Sequence, residues 1–238
     1  MRENDDLKYR HEYKYLISLQ QLVILNNNIT RLLQRDRNTN ESGTYHVRSL
    51  YFDDYEDSCL RDNINGTEPR KKFRIRIYDC SDKVIKLECK MKNHQKVLKK
   101  SCLLSRDQAD ALIAGDSCLR VSESQPALFN QLILLIQLKK YHPAVIVDYN
   151  RVPYIYRYGN SRITFDTDIF ASMDFKHFFD KEIHRRPALP DGYHLMEVKY
   201  DEFLAGFLYN SLNINHLRAT SFSKYCICRG KYISGVIL

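Results

Sequence analysis

The sequence predicts an α+β fold: a closed antiparallel β-barrel of eight strands with helices packed outside it. Three observations carry this expectation. Runs rich in β-branched and aromatic residues dominate the chain and do not alternate regularly with helical runs, which argues against a parallel doubly wound sheet. Most of these runs carry charge at every second position, opposite an apolar face that needs cover. Hydrophobic residues make up 44% of 238, enough for a packed core in one domain spanning residues 1–238.

The first strand is expected at Tyr9–Ile17. A helix follows over Leu19–Gln34, where Leu22, Leu25, Ile29, Leu32 and Leu33 keep helical spacing behind Ser18 as N-cap. Stretches 37–43 and 63–69, rich in Asn, Gly, Thr and acidic residues, read as loops. Strands are expected at Val47–Asp53, Lys72–Tyr78 and Val84–Lys92. Ser105, with Gln108 three residues on, forms a capping-box pattern for a second helix that stops at Gly115. A third helix covers Pro126–Lys140. Strands at Ala144–Arg151, Ser161–Thr167 and Leu195–Tyr200, a helix over Glu202–Leu212 and a last strand at Phe222–Arg229 complete the set.

Residues two apart on a strand share a face. Arg10, Glu12 and Lys14 oppose Tyr13, Tyr15 and Ile17. Arg74 and Arg76 oppose Phe73, Ile75 and Ile77. Lys86, Glu88, Lys90 and Lys92 oppose Ile85, Leu87, Cys89 and Met91. Arg162, Thr164, Asp166 and Asp168 oppose Ile163 and Phe165, and Glu197, Lys199 and Asp201 oppose Val198 and Tyr200. One such strand is explained by a solvated sheet face. Two features point further. Arg-x-Arg sets two permanently charged forks side by side, which repel unless an anion lies between them. The pattern also recurs on most strands. In a closed barrel the charged faces line the interior, where Arg and Lys take up a polyanion such as a polyphosphate or nucleoside triphosphate, and Glu residues hold a bridging divalent metal. The balance of 37 Lys and Arg against 29 Asp and Glu, a formal +8, agrees with an anionic partner.

The segments RHEYKYLI, RSLYFDD, FRIRIYD, KLECKMK, VDYNRVPY, SRITFDTDI, LMEVKYDEFL and SFSKYCICRGKY follow one another in an order that resembles the polyphosphate polymerase domain of the vacuolar transporter chaperone (VTC) family. That domain is a branch of the CYTH, or triphosphate tunnel metalloenzyme, superfamily, and the resemblance runs from about Lys8 to Tyr232. It implies a tunnel of eight antiparallel strands and an enzyme that, with Mn²⁺ or Mg²⁺, passes the γ-phosphate of ATP to a growing polyphosphate chain. It also implies roles for particular residues. Arg74, Arg76, Lys90, Arg151 and Arg162 resemble the tunnel's catalytic cations. Lys14, Ser223, Lys224 and, with looser spacing, Arg61 resemble its phosphate contacts. Glu197 resembles the metal-binding glutamate, with Glu12 and Glu88 as further candidates. RHEYK has Arg10 where the superfamily's ExExK begins with Glu, which fits the polymerase branch better than the triphosphatases. Ala205 stands where proline is expected, a matter of packing. The membrane helices and the N-terminal inositol-phosphate sensor module of the eukaryotic complexes are not found, so a stand-alone bacterial-type domain is expected.

A phosphate acceptor is already ionised and needs no general base, whereas hydrolysis needs a carboxylate such as Glu12 or Glu88 to orient water. The thin acidic set on the first strand therefore favours transfer over a tripolyphosphatase or nucleoside triphosphatase. Two other classes stand beside it: a non-catalytic polyphosphate-binding module, and an RNA-binding or RNA-end-processing protein. The charged faces lack stacking aromatics, so no nucleic-acid partner is expected. The eight histidines show no metal spacing, and the seven cysteines form no CxxC pair. Cys226 and Cys228 are expected in the core. MRENDD does not open a signal peptide, and the most apolar run, Leu132–Leu138, is too short to span a bilayer, so a cytoplasmic location without membrane-spanning segments is expected.

Overall fold

The computed structural model describes residues 10–93, 96–116 and 118–233. Tyr9, expected to open the first strand, and the MRENDD opening lie outside them. The strands are β1 (His11–Ser18), β2 (Gln34–Arg35), β3 (Tyr45–Asp53), β4 (Arg70–Tyr78), β5 (Ser81–Asn93), β6 (Lys96–Leu104), β7 (His142–Tyr156), β8 (Ser161–Ser172), β9 (Arg186–Pro187) and β10 (Tyr193–Tyr200). The helices are α1 (Leu19–Thr30), α2 (Ser58–Ile64), α3 (Arg106–Ala114), α4 (Ala127–Lys139), α5 (Gly206–Ser211) and α6 (Lys224–Gly230).

The α+β class holds, with one large sheet of hydrogen-bonded order β1-β10-β8-β7-β3-β4-β5-β6, to which β2 adds on β7 and β9 on β8. The expected closure does not hold: the path is open and ends at β1 and β6. Within Phe222–Arg229, expected as the last strand, the chain from Lys224 forms α6 instead. Among the described residues, a single bridge, Tyr15 to Ala219, and a bond from the Thr220 amide to the Lys14 carbonyl (2.8 Å) reach the outer edge of β1. The run KYCICRG is short enough to satisfy either periodicity. Tertiary contacts decide it: as a helix it buries Tyr225, Cys226 and Cys228 together and turns Arg229 onto Asp57 (Nε–Oδ1 2.7 Å).

The chain forms two compact units. One comprises Met1–His46, Tyr149–Ile169 and Leu189–Ser223. The other comprises Val47–Asp148, Phe170–Ala188 and Lys224–Leu238. In the first, α1 and α5 cover the apolar side of β1, β10 and β8, where Tyr15, Ile17, Leu25, Ile29, Ile163, Phe165, Met196, Val198 and Leu208 pack as one core. Helix α1 begins as expected, because Ser18 accepts from the Gln21 amide and the Gln21 side chain accepts from the Ser18 amide.

In the second unit, α3 and α4 cover the apolar side of β4, β5 and β6, burying Phe73, Ile75, Ile77, Leu87, Leu112, Phe129 and Leu132. Ser105 and Gln108 make the second capping box, and Gly115 ends α3 at φ 66. Arg48, 1% exposed, crosses to the core side. Its Nη2 meets Asp148 Oδ2 at 3.1 Å, and it donates to the carbonyls of Phe178 (3.0 Å) and Lys181 (3.4 Å), tying segment 178–181 to β3.

Candidate functional site

Each unit presents one charged strand face, and each face is built on arginines keyed by a buried carboxylate. In the second unit the antiparallel register lays out rows across β3, β4 and β5. Tyr51 lies opposite Arg74 and Arg74 opposite Glu88; Ser49 lies opposite Arg76 and Arg76 opposite Lys86. A third row sets Lys72, Lys90 and Lys99 side by side across β4, β5 and β6. Glu88 is the hub of this face at 3% exposure. Arg74 Nε donates to its Oε2 at 2.7 Å, Arg76 Nη1 stands 3.7 Å from the same oxygen, and Lys99 Nζ lies 3.3 Å from Oε1. Burial opposes ionisation of Glu88, but the charges of Arg74, Arg76 and Lys99 outweigh it and hold the carboxyl well below the usual carboxylate range.

The arginines are aimed by hydroxyls as well. Arg74 Nη1 donates to Tyr51 Oη at 2.8 Å, and Arg76 Nε to Ser49 Oγ at 3.0 Å. Burial raises the Tyr51 phenol, yet Arg74, Arg76 and Lys72 bring it below its ordinary value. Like charges placed directly opposite one another destabilise a sheet. One buried carboxylate among Lys72, Arg74, Arg76, Lys86, Lys90 and Lys99 therefore leaves this face with an excess of positive charge suited to anions.

In the first unit the rows cross β1, β10 and β8. Lys14 lies opposite Glu197 and Glu197 opposite Thr164; Glu12 lies opposite Lys199 and Lys199 opposite Arg162. Arg151, at the same face from β7, grips buried Asp166 in two-pronged fashion, Nε to Oδ1 at 2.6 Å and Nη2 to Oδ2 at 2.7 Å. Its Nη2 is 3.5 Å from Glu197 Oε2, which also takes Lys199 Nζ at 3.0 Å. Burial works against the Arg151 charge, but Asp166, Tyr149 and Glu197 outweigh it and keep the guanidinium protonated. Arg162 Nη2 donates to Asp36 (3.0 Å) and to Tyr45 Oη (2.9 Å). Lys14 Nζ donates to the Phe222 carbonyl at 2.9 Å and lies 3.4 Å from Glu12.

The residues expected from the sequence thus fall into two sets. Arg74, Arg76, Lys90 and Glu88 share one face; Lys14, Glu12, Arg151, Arg162 and Glu197 share the other. Ser223 and Lys224 stand where α6 begins rather than on a strand. Arg61 lies on α2 rather than on a strand of the Arg74 face, with its side chain 55% exposed and 2.8 Å from Glu56. Sequence reasoning missed the keys of the arginines: Asp36, Tyr45, Ser49 and Tyr51, and Asp166 as more than a face residue. The RSLYFDD segment held the signal for Ser49 and Tyr51, since both share a face of β3. It also missed Lys99, because β6 itself was not anticipated.

Among the described residues no group of three or more His, Cys, Asp and Glu is placed to hold a metal. A magnesium-like ion does not need such a group: it retains water and takes one or two carboxylates together with substrate phosphates. Glu197 and Glu12, hard oxygen donors on one face of adjacent strands, fit that requirement for Mg²⁺ or Mn²⁺ alike. Among the described residues no helix is long and apolar enough to cross a membrane.

Comparison with solved structures finds similarity to a Bacillus halodurans protein described as a "putative adenylate cyclase", with 14% identity, 88% of each chain covered and a TM-score of 0.49. A search of curated proteins found no match. Compared with known protein families, residues 9–232 match the VTC domain. With the match running through both arginine-bearing faces, the chain belongs to the VTC domain family.

Proposed function

We propose that this chain is a metal-dependent phosphotransferase that passes the γ-phosphoryl group of ATP to a growing polyphosphate chain. The observation that carries this reading is the state of Glu88. Buried and shared among Arg74, Arg76 and Lys99, it holds cations in place and is too weak a base to activate water. Asp166, a second buried carboxylate, has both oxygens engaged by Arg151, and buried Glu197 is engaged by Arg151 and Lys199. Such a set favours an acceptor that is already ionised, as a phosphate oxygen is.

In this reading Arg74, Arg76, Arg151 and Arg162 neutralise and align phosphate oxygens, with their carboxylate and hydroxyl keys limiting the reorganisation needed as charge develops. Lys14, Lys90, Lys224 and Ser223 add contacts. The acceptor oxygen forms a bond to the γ-phosphorus, the bond to the β–γ bridging oxygen breaks, and ADP leaves. Mg²⁺ or Mn²⁺ held at Glu197, with Glu12 as the second donor, would supply further neutralisation of bridging charge.

The test is incubation of the purified chain with γ-labelled ATP and Mn²⁺, beside a Glu197→Ala variant, with products resolved by length. A ladder of phosphate chains that the variant fails to make is the expected result. Free phosphate as the sole product would replace the transferase reading with a triphosphatase. Retained polyphosphate binding without turnover would leave a binding module.

A further inference from the structure

On the charged face of β8, Thr164 is 2% exposed, and its hydroxyl has no hydrogen-bond partner among the described residues. Two residues along the same face, Nε of Arg162 is also buried without a partner, while Nη2 of that side chain is held by Asp36 and Tyr45. A buried hydroxyl left unmatched lowers stability, and valine offers nearly the same shape and the same preference for strands without that penalty. Core packing therefore gives no reason for threonine at this position.

The neighbours do not answer the hydroxyl. Thr164 lies opposite Glu197, which is engaged by Arg151 and Lys199, and Asp166 on the same strand face gives both oxygens to Arg151. What remains is a pair of donors, an O–H and a guanidinium N–H, carried by residues roughly 7 Å apart along a strand. Lys14, across the ladder from Glu197, adds positive charge to the same face. Donors without acceptors, beside cations, match a ligand made of acceptors alone, and the oxygens of a phosphoanhydride chain are that.

We infer that Thr164 is a further phosphate-binding residue, whose hydroxyl donates to an oxygen of a phosphoanhydride chain that also accepts from Nε of Arg162. This rests on the phosphate-binding reading above and adds a contact on the Glu197 face that the cations alone do not supply. The residue acts by holding the substrate, so its loss weakens binding rather than removing a reacting group.

Inorganic triphosphate with magnesium is the probe, titrated calorimetrically into the wild-type chain and Thr164→Val, with thermal melts of each in ligand-free buffer. The valine variant should melt at or above the wild-type temperature and bind triphosphate about tenfold more weakly. Thr164→Ser should bind within about twofold of wild type, because it keeps the donor. Should the valine variant not fold, Thr164→Ala against Thr164→Ser makes the same comparison, since these differ only in the hydroxyl. Equal affinity with and without the hydroxyl would overturn the inference while leaving the phosphate-binding reading intact. A wild-type chain that does not bind triphosphate would overturn both.

Discussion

Glu88 illustrates how a single carboxylate sets the chemistry of a face. It is surrounded by Arg74, Arg76 and Lys99, so its removal leaves the partly buried arginines and Lys99 facing one another. Glu88→Gln should cost on the order of 3 kcal/mol at pH 7, read from urea midpoints. The pH dependence has a definite sign. The folded carboxyl titrates below its ordinary value, so its contribution is complete above the unfolded pKa of about 4.3 and is lost as pH falls through the lower folded value. The gap between wild type and Glu88→Gln should therefore close in acid. A gap that stays constant from pH 7 to strong acid would refute this account. Arg151 is the counterpart in the other unit. Lysine cannot reproduce its two-pronged hold on Asp166, so Arg151→Lys should weaken triphosphate binding by at least tenfold in a direct titration.

At the scale of elements, α6 replaces an expected strand because of what its side chains find. Tyr225 is buried, packs its ring at a tilt against Tyr51 with ring centres 5.1 Å apart and donates its hydroxyl hydrogen to Asp53. Asp53 in turn accepts from the amides of Cys59 (2.9 Å) and Leu60 (3.1 Å) at the start of α2. Burial, followed by the charge of Asp53, drives the Tyr225 phenol far above its usual value, so it stays a donor at all ordinary pH. Tyr225→Phe should cost about 1–1.5 kcal/mol in chemical denaturation, since Asp53 keeps its backbone donors. The α3 cap is a simpler case: Ser105→Ala should cost about 1 kcal/mol. Arg48→Met should cost more, about 3 kcal/mol, because it removes the buried charge partner of Asp148, which Arg185 at 3.7 Å replaces poorly. Triphosphate affinity of the folded fraction should not change, as Arg48 faces the core side of β3.

For the whole molecule, the formal charge of +8 gains its meaning from its distribution over two strand faces. Anions that bind only the folded chain stabilise it by mass action, about 2.7 kcal/mol at a hundred times the dissociation constant. Inorganic triphosphate should therefore raise the melting temperature, and raising the salt concentration should shrink that rise as screening weakens the attraction. A melting temperature indifferent to triphosphate would contradict the anion-binding role proposed for the two faces.

Period-two alternation in the sequence determined which side chains share a face, and hence the groupings Arg74 with Arg76 and Arg162 with Thr164. Capping residues likewise determined where α1 and α3 start, because Ser18 and Ser105 act on amides three residues away. These are local effects, and local physics suffices for them. Three things waited for tertiary structure. Whether KYCICRG is a strand or a helix depended on Asp53, Asp57 and the ring of Tyr51, all distant in sequence. Whether the sheet closes depended on that choice and on β6, whose lysine-rich run KVLKKSCLL hides its strand character. Whether each carboxylate meets a cation depended on pairings such as Arg162 with Asp36 and Arg151 with Asp166. Charge pattern announces that ions share a surface; only packing in three dimensions decides which ions neutralise one another and which groups are left for a ligand.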